Sequence, residues 1–261
     1  MNNFKDVFIK NSHTINLKNK KCIVRVDFNV PLSDQNKILD DTRIKAVKKT
    51  IDFLISKKAI VILISHMGRP KGKTDQNLSL GKIKNSIELI LKYKILLINI
   101  KENDEIIHNS ISDIKSNQII MFENIRFNPE EETYSDKFSK YLSSFGDIYI
   151  NDAFAVSHRN HSSITGIPKF IPSFMGFMMY KEYTSISNLS SQLGNNSICI
   201  FGGVKISDKI QILNNFIGKV KYIAIGGGMI KEFANYLNSK KILDKNNIIH
   251  NILNNKKTKI L

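Results

Sequence analysis

Short β-branched runs recur along this chain, each followed by a segment with apolar residues at helical spacing, and this alternation constrains the fold more than any other feature. "KCIVRVD" (21–27), "AIVILIS" (59–65), "KILLINI" (94–100), "QIIMFE" (118–123) and "DIYIND" (147–152) predict strands. Between them, 43–57 places Ile44, Val47, Ile51, Leu54 and Ile55 at helical spacing, and 79–92 does the same with Ile83, Ile87, Ile90 and Leu91. Further helices are predicted near 104–116 and 131–145. Such alternation builds a parallel sheet covered by helices on both faces.

The pattern breaks at 165–175, where "TGIPKFIPSFMG" crowds two prolines and two glycines together. A long helix is predicted at 176–193, with Phe177, Tyr180, Tyr183, Ile186, Leu189 and Leu193 as its apolar contacts. A second α/β unit then begins: strand 197–203, helix 206–217, strand 221–228, helix 229–239. Two clear strands before an Asn/Lys-rich tail are few for an independent sheet. The fold expected is α/β, with a Rossmann-like parallel-sheet domain over 1–173, a hinge helix over 174–193 and an incomplete second α/β domain over 194–261.

At 261 residues, 42% hydrophobic and 24% charged, the composition is that of an ordinary soluble globular protein. The formal charge of +16 raises nucleic acid as a partner. However, the surplus is lysine spread with asparagine and isoleucine along the whole length, as in "KKILDKNNIIHNILNNKKTKIL", and no recognition helix or RNA-module signature accompanies it. The two cysteines, Cys22 and Cys199, lie in apolar runs expected to be buried strands, without zinc spacing. The start lacks a signal core, and the longest clean apolar run, "AIVILI", is too short to span a bilayer. A cytoplasmic protein with no membrane and no nucleic-acid partner is expected.

Of the 39 lysines and arginines only five are arginine: Arg25, Arg43, Arg69, Arg126 and Arg159. Four sit in polar loops after the strand runs (27–43, 65–72, 123–130 and 151–161), and Arg25 lies inside a run. Arginine is kept where a planar bidentate donor for carboxylate or phosphate is needed. In a parallel α/β sheet, ligands collect at the carboxyl ends of the strands. Asp27, Asn29 and Arg43 would there meet His66 and Arg69, Arg126, and His158 with Arg159, a pocket suited to a trianionic, phosphorylated small molecule. Arg25 shares a strand face with Asp27, so a structural salt bridge and a ligand role are both open for it. "GRPKGKT" (68–74) is one residue short of a phosphate-binding Walker loop and is rejected as one.

In the second half, "FGGVKISDK" (201–209) and "IGGGMIKEF" (225–233) put glycines between strand and helix, where backbone N–H groups can approach phosphate. Tight packing turns explain such glycines equally well. Lys205 and Lys209 add positive charge one helical turn apart.

In order, "VRVDFNVP", "SHMGRPKG", "ENIRFNPEEE", "NDAFAVSHRNHSS", "GGVKISDKI" and "IGGGM" resemble the motifs of phosphoglycerate kinases, over about residues 5–237. The resemblance implies a two-domain hinge enzyme of glycolysis. It would transfer a phosphoryl group between 1,3-bisphosphoglycerate and ADP, giving 3-phosphoglycerate and ATP, with Mg2+ as cofactor. By it, Asp27, Asn29, Arg43, His66, Arg69, Arg126, His158 and Arg159 hold the glycerate, Gly203, Lys205, Lys209, Gly227 and Gly228 belong to the nucleotide side, and Arg43 and Lys205 clamp the migrating group. Members of the family continue past residue 261, so a shortened product is expected. Its activity would be reduced or completed by a complementary C-terminal polypeptide, with a monomer otherwise. The alternative is a phosphoglycerate-binding protein without catalysis.

Overall fold

The computed structural model describes residues 7–11, 15–114, 118–194, 196–204, 209–238, 248–255 and 257–261. The chain divides into two compact units, Met1–Thr184 and Ser185–Leu261. In the first, β1 (Lys21–Arg25), α1 (Thr42–Ser56), β2 (Ile60–Ile64), α2 (Lys84–Leu91), β3 (Lys94–Ile98), α3 (Asp104–Ser112) and β4 (Gln118–Phe122) alternate. The short α4 (Pro129–Thr133), α5 (Asp136–Ser143), β5 (Ile148–Asn151), β6 (Ser173–Met175) and the start of α6 (Phe177–Ser191) complete it.

Six parallel strands lie in the order β3-β4-β2-β1-β5-β6. Side chains alternate between the faces of a strand, so each apolar run feeds two cores. Cys22, Val24, Val61, Leu63, Ile119, Met121, Ile148 and Ile150 pack on one face with Ile44, Val47, Ile51 and Leu54 of α1 and Ile87 and Leu91 of α2. Ile23, Ile62, Ile64, Ile120, Phe122 and Tyr149 pack on the other with Ile107 and Ile111 of α3, Leu142 of α5, and Phe145. From β1 the chain builds the sheet outward through β2, β3 and β4, then returns from β4 to β5 on the other side of β1. The topological switch point thus lies between β1 and β5, and a crevice opens outside their carboxyl ends.

The helix expected over 131–145 is split into α4 and α5, because Tyr134 between them takes φ +60°, outside the helical region. The segment 165–175 contains β6, which pairs Tyr149, Ile150 and Asn151 with Ser173, Phe174 and Met175. Along α6, Phe177 and Tyr180 pack against Phe8, at ring centroids of 4.9 and 4.1 Å, but Ile186 and Leu189 are exposed rather than apolar contacts.

The second unit contains β7 (Ile198–Gly203), α7 (Ile210–Phe216), β8 (Tyr222–Gly227), α8 (Met229–Asn238), α9 (Ile248–Leu253) and β9 (Lys259–Ile260). Its parallel sheet has the order β7-β8-β9, so the lysine-rich tail supplies a third strand. Leu213, Met229, Phe233 and Ile252 form its small core. Cys22 is buried as expected, which pushes its thiol up to about 12, whereas Cys199 is only partly buried. No helix among the described residues is long and apolar enough to cross a membrane.

Ile62 lies at the centre of the six-stranded sheet with no exposed surface. Ile62→Ala removes buried apolar volume that its neighbours cannot refill, so it should cost about 2–5 kcal/mol. Urea unfolding followed by circular dichroism should show the midpoint falling with an unchanged slope.

Candidate functional site

The carboxyl ends of β1, β2, β4 and β5 place four polar loops at the crevice, and a shared set of hydrogen bonds holds the loops to one another. Asn29 Oδ1 accepts from the Gly68 N–H at 2.9 Å, joining the β1 loop to the β2 loop. Asn124 Nδ2 donates to the carbonyls of Met67 and Leu78 at 2.7 and 2.8 Å, tying the β4 loop to the same segment. Arg126 Nη1 donates to the Gly68 carbonyl at 2.7 Å, and the Gly72 N–H returns a bond to the Arg126 carbonyl. Gly72 has φ +77°, and a Cβ there would meet Pro129 Cβ at 2.8 Å, so glycine is required for the β2 and β4 loops to approach this closely.

Asp27 is buried and accepts from Arg43 Nη1 at 2.8 Å, while the same nitrogen donates to the Asn29 carbonyl at 3.0 Å. This holds Arg43, whose side chain is 48% exposed, against the β1 loop. Arg25 is fully buried below. Its Nε donates to Ser163 Oγ at 2.9 Å, Nη1 donates to the Val26 carbonyl, and Nη2 lies 3.4 Å from His66 Nδ1. Burial first, then the charges of Arg25, Arg126 and Arg159 with His161, hold the His66 imidazole far below its ordinary value. His66 is therefore neutral. With Nδ1 accepting from Arg25, the proton sits on Nε2, leaving a neutral donor among guanidinium groups.

Glu131, fully buried in α4, accepts from Ser163 N–H at 2.9 Å and Ser163 Oγ at 2.6 Å, and its Oε1 lies 3.6 Å from His161 Nδ1. Burial alone would raise this carboxyl. His161, the Arg25 charge and the bonds from Ser163 outweigh it and hold the group below its usual value. Ser163 belongs to a π-helical turn, Ser162–Gly166.

Among the described residues, Nε and Nη2 of Arg126, Nε of Arg159 and Nδ1 of His161 are buried without a hydrogen-bond partner. Arg126 Nε lies 3.2 Å from Glu132 Oε1, an ion pair without hydrogen-bond alignment. Buried guanidinium donors are rarely left unpaired, since each such group costs about 1–3 kcal/mol or more. Burial, with repulsion from Arg159 and Arg25, lowers the Arg126 guanidinium from its usual value, against the pull of Glu132 and Glu131. Positive groups this close are the electrostatic setting for a multiply charged anion.

Of the residues singled out from the sequence, the structure gathers Asp27, Asn29, Arg43, His66, Arg126 and Arg159 through these bonds and mutual charge effects. Arg69 and His158 lie exposed on the same loops. Arg25, open between two roles from the sequence, is a buried structural ligand of Ser163 and the His66 ring. Sequence reasoning missed Glu131, His161, Asn124 and Ser163. All four lie inside motifs it had recognised, but nothing in their spacing separated them from their polar neighbours.

In the second unit, Gly227 has φ +66°, and a Cβ there would meet the Gly203 carbonyl at 3.0 Å; one at Gly228 would meet the Val204 carbonyl at 2.8 Å. Close approach of two strand ends thus accounts for these glycines. Lys209 precedes α7, and Lys205 lies outside the described residues.

Comparison with known proteins gives one consistent picture. The family model described as phosphoglycerate kinase matches residues 12–260. The phosphoglycerate kinase of Coprothermobacter proteolyticus is 42% identical over 217 residues, 83% of this chain and 55% of that protein. That of Moorella thermoacetica is 36% identical over 237 residues, 90% of this chain and 60% of the other. The solved phosphoglycerate kinase of Coxiella burnetii superposes with a TM-score of 0.78 at 28% identity, covering 95% of this chain and 64% of its own. The chain thus spans little more than half the length of the curated relatives it matches.

His66 takes up a proton when unfolded but stays neutral when folded, so stability falls as pH drops below about 6.5, the ordinary histidine value. Glu131, held low in the fold, acts in the same direction below its own ordinary value. His66→Gln should therefore flatten the acid side of a plot of urea midpoint against pH between about 6.5 and 4. Unaltered curvature in that interval would contradict the neutral assignment.

Proposed function

Because the chain belongs to the phosphoglycerate kinase family, we propose that it takes part in phosphoryl transfer between 1,3-bisphosphoglycerate and ADP, in the glycolytic direction that yields 3-phosphoglycerate and ATP. One observation carries the reading: buried guanidinium nitrogens of Arg126 and Arg159 without hydrogen-bond partners, next to a neutral His66, at the carboxyl ends of a parallel sheet. A compact anion with several oxygens meets those donors. The glycerate carries a phosphate at one end and a carboxylate at the other, and each charge-assisted bond contributes about 1.5–3 kcal/mol.

The assignment of roles follows from placement. Asp27 and Asn29 border the glycerate and orient Arg43 and the Gly68 turn. Arg126, Arg159 and His66 Nε2–H take the charged oxygens, with Arg69 and His158 closing from the exposed side. Arg43, half-exposed and held only by Asp27 and the Asn29 carbonyl, is free to turn one nitrogen toward the migrating phosphoryl group. The reaction needs no general base: a terminal ADP oxygen bonds to phosphorus, the bond between phosphorus and the acyl oxygen breaks, and that oxygen leaves with the carboxylate, already ionised. Alignment and charge neutralisation then supply most of the acceleration.

We assign the nucleotide to the second unit, through Gly203, Lys205, Lys209, Gly227 and Gly228. Among the described residues no group of three or more His, Cys, Asp or Glu converges on a metal site. The Mg2+ that this chemistry uses would come with the nucleotide's phosphates. The +16 formal charge suits these polyanionic ligands, and the reading places the chain in the cytoplasm.

3-Phosphoglycerate at about a hundred times its Kd should stabilise the chain by about 2.7 kcal/mol and raise Tm by several degrees. Arg126→Ala should abolish the shift, and Arg43→Ala should reduce it. No shift at millimolar ligand overturns the reading. A coupled assay with 1,3-bisphosphoglycerate and ADP then tests turnover: a shift without turnover leaves binding alone.

A further inference from the structure

At the end of β5, directly after Asn151, stands a second buried carboxylate that the proposed reaction does not use. Asp152 has no exposed surface. Its Oδ2 accepts from Thr50 Oγ1 at 2.5 Å and its Oδ1 from the Met179 N–H at 2.9 Å. The Thr50 hydroxyl in turn accepts from the Phe177 N–H at 2.9 Å. Two of the first N–H groups of α6, which have no partner within the helix, thus end on a pair of side chains from β5 and α1. The Asp152 N–H donates to the Arg25 carbonyl, and the Gly176 N–H to the Asn151 carbonyl. Any Cβ at Gly176 would meet Asp152 Cγ at 2.3 Å, so the approach of α6 to this carboxylate tolerates glycine alone.

The helices joined in this way are the ones that border a cleft of about 300 Å³ beside Arg43. Its lining includes Arg43 and Val47 of α1, Phe154, and Met178 and Glu182 of α6. Arg43 and Thr50 lie seven residues apart on α1, two helical turns. We infer that Asp152, acting through Thr50, is a positioning residue that fixes the first turn of α6 against α1 and thereby sets where Arg43 stands in the anion site.

The chemistry gives this clasp a signature. Burial pushes Asp152 up to about 6, against the bonds from Thr50, Met179 and Met178. The charged groups on the surrounding elements are Arg43, Lys45, Lys48, Lys49 and Asp52 of α1, Lys181 and Glu182 of α6, and Lys21, Arg25 and Asp27 within and after β1; Lys45 pairs with Asp41, Lys48 with Asp52 and Arg43 with Asp27. Among the described residues none makes an ion pair with Asp152, and Lys49 instead sits over the Phe177 ring. The carboxylate form therefore faces only neutral donors and the N-terminus of α6, whose N–H groups favour negative charge. Above about pH 6 the clasp holds by charge-assisted bonds; below it, by weaker neutral ones.

The ligand arm of the test rests on the phosphoglycerate reading, and the amide arm does not. In the free protein, hydrogen exchange followed by NMR should show protection at the Phe177 and Met179 amides falling about tenfold in Asp152→Asn and Thr50→Val, with Thr50→Ser close to wild type. Equal protection in all four proteins overturns the inference. With 3-phosphoglycerate, the wild-type to Asp152→Asn affinity ratio should be about five- to tenfold at pH 7.5 and fall towards one at pH 5, where both side chains are neutral. Titration of the ligand's phosphate cancels in that ratio. A ratio independent of pH marks a purely steric role and overturns the inference. Failure of the wild type to bind 3-phosphoglycerate at all counts against the proposed function and leaves the amide arm to decide.

Discussion

The rim of the first unit depends on one buried charge, the guanidinium of Arg25. A cation with no exposed surface is tolerated only where donors and counter-charge surround it. Here Ser163 Oγ, the Val26 carbonyl and the His66 ring take its nitrogens, and the negative charge of Glu131 reaches it across Ser163. Apart from Val26, the next residue, these partners come from the loop after β2, α4 and the π-helical turn at Ser162–Gly166. Satisfying Arg25 therefore ties three other segments to β1 at once. Removing one partner of such a buried set costs about 3–5 kcal/mol, far more than an exposed pair contributes. By comparison the surface pairs Lys45–Asp41 and Lys48–Asp52 on α1 add little.

The same charge shapes the chemistry above it. A histidine beside three arginines is neutral first because it is buried where water barely reaches, and then because a further positive charge would be repelled. Neutrality makes His66 a hydrogen-bond donor that does not add to the repulsion between Arg126 and Arg159. Arg126 keeps Nη1 on the Gly68 carbonyl, while its Nε, 3.2 Å from Glu132 Oε1, and its Nη2 have no hydrogen-bond partner, nor has Nε of Arg159. Donors placed in advance need no rearrangement when an anion arrives, and that is how such a site acts most strongly on developing charge. Arg43 contrasts with them. Half-exposed and paired to Asp27, it can change partner at low cost.

Much of the fold was legible because its signals are redundant. Each of β1 to β5 is a run of apolar β-branched residues long enough to fill two cores, and the helices repeat their apolar face over several turns. β6 escaped notice: three residues between Pro172 and Gly176 carry no period, and only the free edge of β5 makes them a strand. β9 was hidden for a similar reason, since Lys259 and Ile260 read as tail until β8 offers them a partner. The site was legible to the level of its loops and not of its ranks. "PEEET" contains three glutamates, of which Glu131 is fully buried, Glu130 exposed and Glu132 paired with Arg126. Helical spacing cannot tell these apart, because burial is decided by what α4 packs against. Arg69 and His158 show the converse: residue type and motif put them at the site, yet the structure leaves them exposed.

The buried ionisable groups also pull stability in opposite directions. His66 and Glu131, both held low, favour the folded state as pH rises through the acid range. Asp152, raised to about 6 by burial, does the reverse: its contribution is complete below about 4 and is lost as pH climbs through 6. At neutral pH the fold therefore carries a carboxylate that would be more comfortable protonated. An apolar residue of similar size would remove that cost but leave the Met179 N–H and the Thr50 hydroxyl buried without acceptors. Stability alone thus argues against an ionised group here and for a neutral acceptor such as asparagine. What the carboxylate adds over asparagine is charge at the start of α6, which gives the junction of α1 and α6 a firmness that depends on pH.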